Sequence, residues 1–118
     1  MLWTVLYHDA FVPELNELPR AVQDELFIAV SLLELQGPRL GRPHADTLAG
    51  SNFANMKELR FRAHDGVWRV AFAFDPERQA VLLVAGDKSG AAQPRFYKRL
   101  IAKADKRFAD YLKMLEND

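Results

Sequence analysis

The stretch "MKELRFRAHDGVWRVAFAF", Met56 to Phe74, decides the fold. Apolar and charged residues alternate on both sides of His64-Asp65-Gly66, the period-two pattern of a half-buried hairpin. Asp-Gly is a favoured two-residue turn, because a type I′ turn needs positive φ at both central positions. A loop at Asp65-Gly66 sets Arg62 opposite Arg69, Phe61 opposite Val70, and Leu59 opposite Phe72. Leu59, Phe61, Val70 and Phe72 then share the core face, while Arg60, Arg62 and Arg69 share the other. Directly opposed like charges cost a sheet up to about 1 kcal/mol. Replacing Arg69 by Ala is therefore expected to leave the fold unchanged or slightly more stable, unless Glu58, on the same face, pairs with it.

Outward from the hairpin, Leu2 to Tyr7 alternates Trp3, Val5 and Tyr7 and predicts a first strand. Asp9 is placed as the N-cap of a short helix carrying Phe11, Leu15 and Leu18, with Pro13 in its first turn. Pro19 suits the start of a second helix, whose apolar stripe is Val22, Leu26, Ala29, Val30 and Leu33. Gly37-Pro38 stops it, and residues 37–55 show no periodicity, which predicts a long loop. After a turn at "DPERQ" (75–79), the apolar run Ala80 to Ala85 predicts a buried strand. From Arg95, the residues Phe96, Leu100, Ala104, Phe108, Tyr111 and Leu115 recur at helical spacing. The order β-α-α-β-β-β-α, without repeat or linker, predicts one α+β domain over residues 1–118, its helices packed on a mainly antiparallel sheet.

Composition narrows the function classes. Of 118 residues, 49% are hydrophobic and 27% charged, which is globular rather than disordered. With no cysteine, disulfides and thiolate metal sites are excluded. The first residues lack a basic n-region and no run approaches the ~20 apolar residues of a membrane span, so a soluble cytoplasmic protein is expected. Sixteen basic and sixteen acidic residues cancel, yet they are not evenly spread. Residues 1–56 carry three basic and seven acidic side chains, whereas residues 57–107 carry twelve and six. A neutral chain can thus hold a positive surface, and local potential governs anion capture.

Ordinary hydrolytic machinery is missing. His8, His44 and His64 lie in separate elements, so no metal site is expected. Ser31, Ser51 and Ser89 occupy no nucleophile-elbow pattern. "GDKSG" at 86–90 lacks the glycine spacing of a phosphate loop, but offers Lys88 and backbone amides at a strand end. What remains is a basic and aromatic set. Arg60, Arg62 and Arg69 suit a phosphodiester, because guanidinium groups match phosphate bidentately and stay charged. Lys57, Lys98 and Arg99 add phosphate contacts, and Tyr97 can stack on a base.

The segments "DTLAGSNFANMKELRFR", "GVWRVAFAFDPERQAVLLVAGDKSG" and "RFYKRLIAKADKRFADYL" resemble the RelE/ParE toxin superfamily of type II toxin–antitoxin systems, within it the HigB-like (phage Gp49-like) branch. The resemblance implies a RelE-like fold and a ribosome-dependent mRNA endonuclease that needs no cofactor. It implies two partners besides mRNA: the ribosome, and a cognate antitoxin, expected to be a helix-turn-helix protein encoded nearby. Arg62 and Arg69 match the family's arginines flanking the turn, Lys88 the lysine after the last strand, and Tyr97 the C-terminal aromatic. In that scheme Arg62 and Arg69 clamp the phosphate, Lys88 transfers a proton and Tyr97 stacks or donates. Other members inhibit DNA gyrase without RNase activity, and a degenerate toxin would only bind its antitoxin. The three-arginine hairpin favours the nuclease.

Overall fold

In the computed structural model, which describes residues 1–117, the chain reverses at His64-Asp65, with φ of 51° and 60°. Both central positions of the turn are therefore left-handed, as type I′ demands, and His and Asp are among the side chains that tolerate this. Gly66 is the first residue of the return strand and is needed for space. A Cβ there would come within 2.6 Å of Trp68 Nε1 and 2.9 Å of Asp87 Oδ2. The expected Asp65-Gly66 loop is thus one residue too late. Moving a loop by one residue moves the pairing by two, so every face assignment survives while the partners change. Arg60, not Arg62, stands opposite Arg69; Leu59 meets Val70 and Phe61 meets Trp68.

The elements are β1 (Val5–Tyr7), α1 (Phe11–Glu17), α2 (Arg20–Gln36), a 3-10 turn (Gly37–Arg39), β2 (Ala45–Thr47), β3 (Met56–Ala63), β4 (Gly66–Phe74), β5 (Ala80–Asp87) and α3 (Gln93–Glu116). The sheet order is β1-β5-β4-β3-β2, and only the β1–β5 pair is parallel. Residues 37–55 are less irregular than expected, because the 3-10 turn and the edge strand β2 fall within them. The capping expectation at Asp9 also fails. The α1 N-cap is Ala10, and its amide donates to His8 Nδ1 at 3.0 Å.

Both faces of the sheet are covered. Leu59, Val70, Phe72 and Leu82 pack with Phe11, Leu26 and Leu33 of α1 and α2. Met56, Ala71, Ala73, Val81 and Leu83 pack with Leu100, Ala104 and Phe108 of α3. Fully burying a side chain such as Phe11, Phe72 or Phe108 contributes about 1.5–3 kcal/mol. The arginine face of the hairpin is therefore partly a helix-covered face.

An irregularity in the β4–β5 pairing fixes where α3 begins. Phe72 pairs with Leu82 and Ala71 with Val84, so Leu83 is an extra residue. Leu83 and Val84 consequently both face α3, and the alternation of β5 inverts beyond them. This turns Gly86, the partner of Arg69, toward Phe96 at the start of α3. A Cβ on Gly86 would lie 2.9 Å from Phe96 Cε1, so the missing side chain lets the helix sit close.

Candidate phosphate-binding site

The helix start carries Tyr97 onto the buried arginine of β4. Arg69 Nε donates to the Tyr97 hydroxyl at 3.2 Å, and Arg69 Nη1 donates to the Trp68 carbonyl at 2.9 Å. Glu58 lies on the same face, with Oε1 3.8 Å from Arg69 Nε. Its carboxylate and the guanidinium are both almost fully enclosed, with side chains 6% and 7% exposed. At 3.8 Å the pair is a Coulombic contact longer than a hydrogen bond, and Glu58 Oε1 has no hydrogen-bond partner among the described residues. Arg60, facing Arg69 across the strands, has its own anion: Nη1 is 3.6 Å from Asp46 Oδ2 on β2. Asp46 also accepts from Arg42 Nε at 2.9 Å.

Burial raises the Glu58 carboxyl above its ordinary value, against the pull of Tyr97, Arg69 and Arg60, and Asp46 adds to the rise. Burial also raises the Tyr97 hydroxyl; the bond from Arg69 opposes this and the Glu58 charge adds to it. In the sequence Glu58 presents itself only as an ion-pair partner of the arginines on its face. Its place in β3 signals the inward face, since it alternates with Met56 and Arg60, but burial beside Tyr97 depends on α3 and is invisible locally.

Beside this trio, Pro43, Arg60, Phe61, Arg62, Val67 and Arg69 line an open cleft of about 190 Å³. Arg62 is exposed and makes no ion pair among the described residues. Lys88 is joined to the cleft through its backbone: its amide donates to the carbonyl of Val67, which faces Arg62. Asp87 holds that loop. Its Oδ1 accepts from the Val67 amide at 3.0 Å, the Ser89 amide at 2.9 Å and the Ser89 hydroxyl at 2.6 Å. Burial raises the Asp87 carboxyl, but these bonds outweigh it and leave it below the ordinary value. Asp87 is a bracket between the turn and the Lys88 loop.

Three expected contacts are elsewhere. Lys57 projects from the opposite face, where its ammonium donates to the Pro38 carbonyl at 3.2 Å, so it does not join the arginines. Odd-numbered β3 residues face α2, and Lys57 is among them. Lys98 and Arg99 sit outward on α3, beyond Tyr97. Arg99 forms, with Arg95 and Lys103 at four-residue intervals, one wall of a separate groove of about 300 Å³ against Val84 to Asp87. Larger grooves flank Trp3 at the far end of β4, where Arg78 lies 5.1 Å over the indole. They lack the convergence of three guanidinium groups that marks the smaller cleft. Among the described residues no cluster of His, Asp and Glu has metal-binding geometry, and no helix is long and apolar enough to cross a membrane.

A family model described as phage-derived protein Gp49-like (DUF891) matches residues 13–109, which contain every residue of the cleft. The chain is 43% identical over 104 residues to a Mycobacterium tuberculosis protein named as the toxin candidate HigB2, covering 87% of this chain and 51% of that one. It is 50% identical over 84 residues to the toxin candidate HigB3 of the same organism, covering 71% of each. The chain thus spans about half the length of the HigB2 relative. A solved structure of a doubly substituted variant of the E. coli toxin RelE, in the free state, superposes with a TM-score of 0.65 over 91% of this chain and 98% of that one. At 15% identity this likeness concerns the fold, which is RelE-like.

Proposed function

The chain belongs to the phage-derived Gp49-like family, and on that premise we propose that it is the toxin of a type II toxin–antitoxin pair, acting as a ribosome-dependent endoribonuclease in the cytoplasm. The observation that carries the chemistry is the cleft in which Arg60, Arg62 and Arg69 converge, with Tyr97 bonded to the innermost guanidinium. In the proposed reaction the ribose 2′-oxygen attacks the adjacent phosphorus. The 2′-O–P bond forms, the P–O5′ bond breaks, the 2′-hydroxyl proton leaves and the 5′-oxygen receives one. Arg62 and Arg69 hold the non-bridging oxygens as charge grows, the kind of preorganised contact worth a factor of about 10²–10³. Lys88 is the proton-transfer residue and Arg60 supports the phosphate. Tyr97 orients Arg69 from behind rather than stacking on a base, because its hydroxyl is engaged by that guanidinium. Lys98 and Arg99 contact flanking RNA from the helix.

The names of the two relatives favour a toxin, and a toxin of this kind needs a cognate antitoxin. We assign that role to a small helix-turn-helix protein encoded beside this one. Induced expression without it should stop growth, with transcripts cut inside translated frames and untranslated transcripts spared. If translation persists while DNA breaks accumulate and gyrase co-purifies, the chain inhibits gyrase instead. Normal growth at verified soluble expression would leave antitoxin binding as the remaining role.

A further inference from the structure

We propose that Glu58 is an internal stand-in for the substrate phosphate at Arg69, and that binding of an RNA phosphodiester in the cleft is coupled to uptake of one proton by Glu58. This rests on the phosphate-cleft reading above and adds to it a group that does not line the cleft. The groups that face Glu58 are Arg60 on its own strand, Asp46 from β2, Arg69 from β4 and Tyr97 from α3. In the free protein the buried guanidinium has one buried anion beside it, at 3.8 Å, and that anion has an oxygen without a hydrogen-bond partner among the described residues. The contact is close enough to neutralise Arg69 and too long to lock it. Arg69 also lines the cleft, so an arriving phosphodiester brings a second anion to the same guanidinium.

Two anions on one enclosed cation repel each other, and only one of them can leave the charged state. A phosphodiester stays ionised throughout the physiological range. Glu58 is already held toward its neutral form by burial, so it takes the proton. Its neutral carboxyl has Tyr97 beside it as hydrogen-bond acceptor, and Arg69 then belongs to the phosphate. Glu58 is thus a positioning residue that keeps Arg69 extended before substrate arrives and gives it up when substrate binds. Linkage fixes the sign: binding that takes up a proton is favoured as pH falls and weakens as pH rises through the Glu58 titration range.

The probe is a short 2′-O-methyl RNA oligonucleotide, which lacks the attacking hydroxyl and cannot be cleaved. Its affinity for the wild-type protein should fall with rising pH between 5 and 8, by up to about tenfold per unit at the steepest point, the limit for one proton. Glu58→Gln should lose that component and bind at least as tightly as wild type at pH 8. Identical slopes in the two proteins overturn the proposal. A second measurement needs no variant: the Glu58 side-chain carboxyl resonance should titrate at higher pH with oligonucleotide than without, and an unmoved midpoint overturns the coupling. Absence of binding at any pH would sink the phosphate cleft and this proposal together. Intact coupling in a protein that cuts no transcript would sink only the nuclease reading.

Discussion

Replacing Arg69 by alanine sets two electrostatic effects of opposite sign against each other. Across the hairpin, Arg69 faces Arg60, and relieving that opposition is worth at most about 1 kcal/mol. Within the core, Arg69 is the nearest cation to Glu58, whose residue is only 4% exposed. Breaking one partner out of a buried pair costs about 3–5 kcal/mol, because the remaining charge stays enclosed. The bonds to Trp68 and Tyr97 are lost as well. The pair wins, and the net destabilisation is about 2–4 kcal/mol. For a chain of this size that lowers Tm by roughly 4 °C per kcal/mol, so on the order of 8–16 °C. The expectation of an unchanged fold, drawn from opposed arginines alone, is thereby reversed.

The deficit has a signature that simple loss of packing lacks. Glu58 can escape its unpaired charge by taking up a proton, so Arg69→Ala should lose less stability at pH 5 than at pH 8. Adding Glu58→Gln to Arg69→Ala should restore part of the stability and none of the cleavage, which falls by about 10²–10³. Arg62→Ala is the contrast: exposed and without an ion pair among the described residues, it should change stability by no more than about 0.5 kcal/mol while cleavage still drops. Urea unfolding at both pH values and in-cell transcript cleavage measure the two quantities. Arg69→Ala melting with the wild type, or a deficit that Glu58→Gln leaves untouched, would refute the reasoning.

Other outcomes follow from the same geometry. Lys57→Ala should leave cleavage unchanged, because its ammonium lies on the opposite face at Pro38; a hundredfold loss would put that placement in error. Asp87→Ala removes the acceptor shared by Val67 and Ser89, and should cost about 1–3 kcal/mol with faster amide exchange at Ser89. Carboxylates also divide by sign in acid. Hydrogen bonding to Arg107 holds the Glu14 carboxyl below its ordinary value of 4.5, so its stabilisation is present above that pH and is lost as pH falls further. Glu58 is raised, so the stability tied to its titration is greatest below 4.5 and falls as pH rises. Denaturant midpoints across pH 4–8 test both.

Much of the fold was legible because its patterns are local. The stripe Leu100, Ala104 and Phe108 follows helical spacing and is buried along α3. The apolar run from Ala80 is buried on both faces, as such runs are when helices cover a sheet from either side. The face assignment of the hairpin withstood a wrong turn because the error was even in register. β2 was missed because three residues at a sheet edge carry too little pattern. The inversion of β5 at Leu83 was missed because an extra residue in a strand is set by its partner, not by its own side chain.

The site was legible in composition and illegible in pairing. Arginine side chains at alternate positions announce a basic face, but which arginine is buried depends on where α3 lands. That is decided by Gly86 accepting Phe96, ten residues further along the chain and in a different element. The gathering of like charge also finds its explanation in partners that spacing could not reveal. Arg60 lies against Asp46 and Arg69 against Glu58, so the opposed pair is matched by one anion each. Arg62, nearer the turn, has none among the described residues. The sheet thus carries its arginines at low cost while the cleft keeps a net positive charge, and a chain of zero net charge needs no excess elsewhere to attract a phosphate. Because the Glu58 contact is the looser of Arg69's polar contacts, at 3.8 Å against 3.2 Å and 2.9 Å, it is the one a phosphate can replace without unseating the side chain.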